Sequence, residues 1–216
     1  MAENQNKNQN KKKDEAERDL WNRKYSEGSH RSLEPEPFLL NAFAEFLAAK
    51  PPGSALDVAG GAGRHALWLA QQGWSVKLLD ISEAAVALAR ENAARVLPSP
   101  LGTPVSTAPL FVAEVVDLNA TPDLGDQQYD LVIVFRYLQR ELFPSLIRAL
   151  RPNGFLIYQT YITAQEKCSG GPTNPNYLLQ PNELLEAFSS MRVLHYREHT
   201  VGRAVAELVA QKPDIS

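Results

Sequence analysis

The sequence predicts an α/β fold, a doubly wound and mostly parallel sheet of seven strands that ends in an antiparallel hairpin. Three observations lead there. Short apolar runs alternate with helical patterns from Ala55 to Thr160, an order that calls for parallel strands covered on both faces. A glycine-rich turn stands where the first run meets the first of these helices. The last two runs, Arg192–Glu198 and Ala204–Ala210, are five residues apart, too close for a crossover helix.

Each element has its own signal. A periodic apolar segment from Phe38 to about Ala49 reads as a helix, stopped by Pro51-Pro52-Gly53 because proline lacks a backbone donor and keeps its predecessor out of the helical region. Strands follow at Ala55–Val58, Ser75–Leu79, Leu110–Val115, Asp130–Phe135 and Phe155–Thr160, and helices at Arg64–Gln71, Glu83–Val96 and Gln139–Leu150. Ser82 suits the N-cap of the second of these helices better than Asp80 does. Arg151-Pro152-Asn153-Gly154 reads as a helix exit whose glycine supplies the positive φ. A last helix is expected at Pro181–Ser189, with proline in its first turn.

Composition bounds the class. The chain has 216 residues, 44% hydrophobic, which suits one well-cored domain. Residues 1–18 carry almost no large apolar side chain and are expected to be a disordered polar tail, leaving 19–216 as the domain. The run Lys11-Lys12-Lys13 beside Asp14, Glu15 and Glu17 reads as a solvated face. A net charge of -3 and a pI near 5.8 argue against nucleic acid or an acidic membrane as partner and favour a small molecule. Cys168 is the single cysteine, so neither a disulfide nor a metal site is expected. With no apolar leader or spanning run, the expected location is the cytoplasm.

The first strand ends in Asp57-Val58-Ala59-Gly60-Gly61-Ala62-Gly63-Arg64-His65. Ligands of open α/β sheets bind at the carboxyl ends of the strands, and glycines there let a ligand approach the backbone. A tight turn alone needs fewer glycines than this. Asp80 ends the second strand, 17 residues past Gly63, where a carboxylate can accept both hydroxyl protons of a ribose. Gly61-Ala62-Gly63-Arg64-His65-Ala66 also satisfies the dinucleotide pattern G-x-G-x-x-A. Asp57 distinguishes the two ligands, since a carboxylate there would attract an ammonium group and repel a pyrophosphate.

Two segments, LDVAGGAGRHALWLAQQGWSVKLLDIS and YDLVIVFRYLQRELFPSLIRALRPNGFLIYQTY, resemble class I S-adenosylmethionine-dependent methyltransferases of Rossmann-like fold, and within them the small tellurite-resistance and thiopurine-type branch. The resemblance spans roughly Trp21 to the C-terminus. It implies S-adenosyl-L-methionine as cofactor, its methionine part received by Asp57 and the turn Ala59, Gly60, Gly61 and Gly63. It further implies that Asp80 holds the ribose, Ile81 packs on the adenine, and Asp117-Leu118 lies beside that ring. Phe135 would run along the cofactor. Alanine at 59, where the superfamily has glycine, requires residue 59 to keep a negative φ.

Methyl transfer from a sulfonium is an in-line displacement, so positioning and exclusion of water dominate and a base is optional. His30 is the candidate base, while His65 is expected to pack or cap, and His195 and His199 to lie at the surface away from the crevice. Arg136, Tyr137, Arg140 and Tyr161 are the substrate candidates. An arginine facing the pocket would favour a carboxylate or oxyanion, whereas Arg140 could equally pair with Glu141 or a neighbouring helix. The loop Gly170-Gly171-Pro172-Thr173-Asn174-Pro175 is placed to wall the pocket. The absence of an Asn/Asp-Pro-Pro-aromatic tetrad after the fourth strand argues against base or glutamine N-methylation. A nicotinamide-dependent oxidoreductase and a non-catalytic cofactor-binding module stand as the alternatives.

Overall fold

The computed structural model describes residues 15–30, 32–97 and 111–214. Its seven strands are β1 (Ser54–Val58), β2 (Ser75–Asp80), β3 (Phe111–Val115), β4 (Tyr129–Phe135), β5 (Leu150–Tyr161), β6 (Arg192–His199) and β7 (Val205–Gln211). They form one sheet in the order β3-β2-β1-β4-β5-β7-β6. All pairs from β3 across to β5 are parallel, and β7 runs antiparallel to both β5 and β6. The chain leaves β1 toward one edge and returns at β4 toward the other, so the crevice between the ends of β1 and β4 is the topological switch point.

Helix α1 covers residues 15–26, followed by α2 (Pro37–Phe46), α3 (Arg64–Gln71), α4 (Glu83–Val96), α5 (Phe143–Ala149) and α6 (Glu183–Ala187). The central strands are apolar on both faces because both are covered. Leu131, Ile133 and Phe135 of β4 pack with Phe38, Leu39 and Ala42 of α2, Ala66 and Leu69 of α3, and Val86 and Ala89 of α4. Val132 and Val134 face the other way, onto Phe143 and Leu146 of α5 and Leu184 of α6. Each fully buried aliphatic chain in these layers contributes about 1.5–3 kcal/mol of transfer free energy.

The departures from the sequence reading have local causes. The helix expected at Gln139–Leu150 opens as a 3-10 turn, Arg140–Leu142, and becomes α5 with proline in its first turn. The exit at 151–154 is a register shift inside β5, between the pairs Tyr129–Leu150 and Leu131–Phe155. Its positive φ belongs to Asn153, at 64°, and Gly154 is needed instead for clearance, since a Cβ there would stand 2.9 Å from the Arg151 carbonyl. The helix expected at Pro181–Ser189 shortens to α6, because Asn182 takes a left-handed φ of 63° at its N-cap. Residues 15–18, read as tail, are helical; residues 1–14 and Leu110 lie outside the described residues.

The terminal hairpin matters for the site. Tyr161 at the carboxyl end of β5 pairs with Val205, which in turn faces His199, so residues 200–204 turn at the same end of the sheet as the glycine loop. His195 and His199, on the edge strand β6, stay outside the lining of the cavity described below but are not fully exposed. Both are half-buried, with His199 Nε2 2.8 Å and His195 Nε2 3.8 Å from Glu207 Oε2.

Candidate active site

At the end of β1 the chain turns sharply into α3. Ala59, Gly61 and Gly63 have φ of 56°, 58° and 89°. The requirement that residue 59 keep a negative φ is thus overturned: alanine occupies the left-handed region, at a cost of about 1–2 kcal/mol. Gly60 is required for a different reason. A Cβ on it would come within 2.7 Å of both Asp57 Oδ2 and the Leu78 side chain, so close packing, not φ, fixes this glycine.

Asp57 lies directly behind that position, 1% exposed, and its Oδ2 has no hydrogen-bond partner among the described residues. Desolvation, reinforced by the nearby Asp80 charge, raises its pKa to about 8 against the opposing pull of the Ala66 amide and Arg64. A buried carboxylate oxygen left without a donor is costly; a cationic group at the turn would relieve it.

Asp80 closes the other side. Its Oδ2 accepts from the Gly61 amide and its Oδ1 from the Ser82 amide, each at 2.9 Å. Burial pushes its pKa up, and these amides and that of Ile81 pull it back. Each oxygen keeps a further lone pair for a ligand hydroxyl. Ser82 is the N-cap of α4, accepting from the Ala85 amide at 3.1 Å.

Helix α1 roofs the crevice. Its Asn22 Oδ1 accepts from Ser82 Oγ at 2.7 Å and the Ala84 amide at 3.1 Å, while its Nδ2 donates to Glu83 Oε2 at 2.6 Å. Glu17 accepts from Asn119 Nδ2 at 3.0 Å. Tyr25 packs with Ala62 and Ala85, and its hydroxyl occupies the space a side chain at Gly61 would need. Beneath this roof lies a cavity of about 960 Å³.

The cavity brings together Ala59, Gly60, Gly61, Asp80, Ile81, Leu118 and Phe135 at one end. Arg136, Tyr137, Tyr161 and His30 also line it, as do residues 169–174. Asp57 and Gly63 stand outside the lining, as do two further candidates. Asp117 turns its carboxylate away from an adenine-side role: Oδ1 caps the Asn119 amide at 3.0 Å and Oδ2 lies 3.9 Å from Arg18, leaving Leu118 and Asn119 on the wall. Arg140 is a structural tie. Its guanidinium holds both Glu183 oxygens, at 2.5 and 2.9 Å, and the Leu178 carbonyl at 2.9 Å.

Arg136 carries a φ of 57°, a strained value for a non-glycine residue. Its amide donates to the Gln159 carbonyl at 2.7 Å, and its guanidinium pairs with Glu36. Arg64 binds the same Glu36 oxygen at 2.9 Å. The Tyr137 hydroxyl is buried without a partner among the described residues, and burial pushes its pKa above the ordinary range. His65 packs on Phe135 with ring centroids 4.1 Å apart and accepts from the Glu36 amide at 3.3 Å, a neutral core histidine. His30 sits 5.7 and 5.9 Å from the rings of Trp21 and Tyr25. Its pKa is lowered by partial burial and then by Lys24, Arg136 and Arg64, which keeps the imidazole neutral and able to accept a proton.

Sequence reasoning missed the residues contributed from a distance. Ala16, Glu17, Leu20, Trp21, Lys24 and Tyr25 all line the cavity; their spacing marks one helical face, a signal present in the sequence. Arg203, also on the wall, could have been found only from the antiparallel return of β7. Among the described residues no group of three or more His, Cys, Asp or Glu could hold a metal ion, and no helix is long and apolar enough to cross a membrane.

This geometry, a glycine turn facing a strand-end carboxylate at a switch point, agrees with the comparisons to known proteins. A methyltransferase-domain family model matches residues 55–154. A curated relative, "Hemagglutinin 1" of Eikenella corrodens, is 29% identical over 166 residues, covering 73% of this chain but only 50% of the relative. The chain thus matches about half the length of that relative. TehB from Haemophilus influenzae superposes with a TM-score of 0.66 at 17% identity, over 88% of this chain and 66% of that one. The magnesium protoporphyrin IX methyltransferase of Synechocystis, solved with bound SAH, gives a TM-score of 0.59 at 21% identity, over 81% and 80%. These likenesses establish a Rossmann-like α/β fold with antiparallel C-terminal strands.

Proposed function

We propose that this chain transfers the methyl group of S-adenosylmethionine to a small-molecule acceptor by in-line displacement. The observation that carries the reading is the cradle itself: Gly61 donating to Asp80, Gly60 backed against an unpartnered Asp57 oxygen. The residues fit the cofactor. Asp80 would accept the ribose hydroxyls, Ile81 and Leu118 would flank the adenine, and Asp57 would balance the ammonium charge from behind Gly60. The bound cofactor supplies an electrophilic methyl on a sulfonium.

The remaining work falls to the chain. The roof formed by α1 excludes water, which strengthens every electrostatic contact beneath it. Tyr137 and Tyr161 wall the acceptor end and align the nucleophile. His30, neutral and on the wall, accepts a proton when the acceptor is a hydroxyl; a thiolate or oxyanion needs no base. The cavity volume matches sites for small ligands and supports a small acceptor over a macromolecule. The motif segment around the glycine turn supports placement in the tellurite-resistance and thiopurine-type branch, and the composition supports a cytoplasmic enzyme.

The test is turnover. Purified protein is incubated with S-adenosylmethionine and a panel of thiols, oxyanions and small carboxylic acids, and S-adenosylhomocysteine release is measured. Acceptor-dependent release is the expected outcome. Tight cofactor binding with no release across the panel would favour a non-catalytic module instead.

A further inference from the structure

One wall of the cavity is a single thickness of chain. Residues 169–174 line it from one side, while Ser169, Gly170, Gly171, Thr173 and Asn174 are exposed to solvent on the other. They belong to a loop whose two ends meet. Ile162 bridges Leu179 in parallel, the Thr163 amide donates to the Leu179 carbonyl at 3.0 Å, and the Leu179 amide donates to the Tyr161 carbonyl at 2.9 Å. The returning end is fixed again by Arg140, whose guanidinium donates to the Asn176 and Leu178 carbonyls at 3.2 and 2.9 Å. A closed loop with fixed ends and an exposed tip opens locally without unfolding the strands it springs from.

Between these anchors the tip is held by one side chain. Gln165 stands in the 3-10 turn Thr163–Lys167 and is 1% exposed. Its Nε2 donates to the Gly170 carbonyl at 2.6 Å, and its Oε1 accepts from the Ala204 amide at 2.8 Å. Only this orientation of the amide satisfies both partners. Among the described residues, the bond to Gly170 is the only hydrogen bond between residues 169–173 and the rest of the protein. One end of Gln165 therefore holds the β6–β7 turn and the other holds the loop tip. The chain doubles back over this contact because Gly170 and Gly171 both take left-handed φ, 74° and 82°. A Cβ on Gly171 would stand 3.0 Å from Gln165 Nε2 and 3.3 Å from the Tyr161 ring.

We propose that residues 169–174 form a lid over the cavity and that Gln165 is the positioning residue that latches it to the β6–β7 turn. The latch is asymmetric. Its bond to Ala204 joins two parts of the fixed frame, whereas its bond to Gly170 is the one that opening breaks. A single neutral hydrogen bond adds little net stability, because water replaces it when the lid lifts, so the lid exchanges readily between closed and open forms. Closure shuts the cavity from solvent on this side, and opening gives ligands a way in. The proposal stands on the ligand-free chain and does not depend on which cofactor the cavity holds.

The chain supplies its own reporter. Cys168 is the single cysteine, half-buried between Gln165 and Gly170 and packed against the core. The rate at which 4,4′-dithiodipyridine labels it is measured in the native, ligand-free protein, for the wild type, Gln165→Met, Gln165→Glu and Arg151→Ala. Arg151 pairs with Asp130 at the opposite end of the sheet, so its variant controls for lost stability. Gln165→Met removes both bonds and should speed labelling about fivefold or more. Gln165→Glu keeps an acceptor for the Ala204 amide but sets a carboxylate against the Gly170 carbonyl, and should label as fast at pH 8. Burial raises a carboxyl pKa, so at pH 5 the protonated group donates to Gly170 again, and the rate relative to wild type at the same pH should fall back toward one. In the wild type, labelling should be independent of urea below the unfolding transition, the mark of a local opening that exposes little surface. That arm needs no variant to fold. Wild-type labelling that rises with urea as steeply as global unfolding does, Gln165→Met labelling at the wild-type rate, equal acceleration in Arg151→Ala, or a Gln165→Glu ratio that does not fall at pH 5 would each overturn the proposal.

Discussion

The two ends of the cavity are built in different ways. The cradle of the cofactor end comes from one continuous stretch, Asp57 to Ser82, in which a turn and a strand-end carboxylate are joined by a direct hydrogen bond, with Leu118 and Phe135 added from beyond β3 and the end of β4. The acceptor end draws on α1, Glu36, Arg136, residues 161–174 and the hairpin turn at Arg203, which meet only when the sheet closes. A local cradle has its ligand chemistry written into its spacing. An end assembled from remote segments can change its acceptor without disturbing the cradle, which is how one fold hosts many reactions.

The largest expected effect lies at the cofactor end. Asp80→Ala should weaken S-adenosylhomocysteine binding about a hundredfold, because it removes the ribose acceptor and leaves the Gly61 and Ser82 amides unpartnered, a penalty of about 1–3 kcal/mol for each buried group. Asp80→Asn should fall between. Wild-type affinity in Asp80→Ala would break the assignment of the two ends.

Asp57 sharpens the contrast through pH. Burial raises its folded pKa to about 8, well above the ordinary aspartate value of about 3.9, so between these values the folded protein holds a proton that the unfolded chain has lost, and Asp57 lowers stability as pH rises. Asp57→Asn should therefore raise the melting temperature of the ligand-free protein at pH 8, by an amount on the order of a few kcal/mol in free energy. The same substitution should weaken cofactor binding. In the wild type an ammonium-bearing ligand favours the ionised carboxylate, so affinity should climb from pH 6 to pH 8 with net proton release in calorimetry. A flat profile would remove Asp57 from the site.

Within the glycine turn, neighbouring residues should respond in opposite senses. Gly60→Ala should destabilise by about 1–3 kcal/mol through overpacking, and Ala59→Gly should stabilise by about 1 kcal/mol by relieving the left-handed φ. Denaturant melts of the two variants check both signs. The smallest effect belongs to Arg140, outside the cavity. Arg140→Ala should cost at most about 1 kcal/mol, given the partial exposure of its pair with Glu183, and leave cofactor binding unchanged.

What was legible follows the same division. The alternation of apolar runs and helices gave the strands and both long helices of the cofactor half, because each signal spans only a few residues. Asp80, Ile81, Leu118 and residues 59–61, read from equally short signals, line the cavity. Arg140 and Asp117 lie outside the cavity lining: Arg140 takes the alternative of pairing with a neighbouring helix, through Glu183, and Asp117 caps the Asn119 amide, partners that spacing does not reveal. The α1 face is legible as a helical stripe from Ala16 to Tyr25, although composition alone assigns residues 1–18 to a polar tail. Arg203 was not legible, since only the antiparallel return of β7 carries it to the crevice.

The central claim is that the cradle between Asp80 and the glycine turn holds an adenosyl cofactor. Calorimetric titration of the protein with S-adenosylhomocysteine, and in parallel with NAD and NADP, tests it most directly. The account predicts binding of S-adenosylhomocysteine and none of either nicotinamide nucleotide. Binding of a nicotinamide nucleotide alone would contradict it and make Asp80 the ribose ligand of an oxidoreductase.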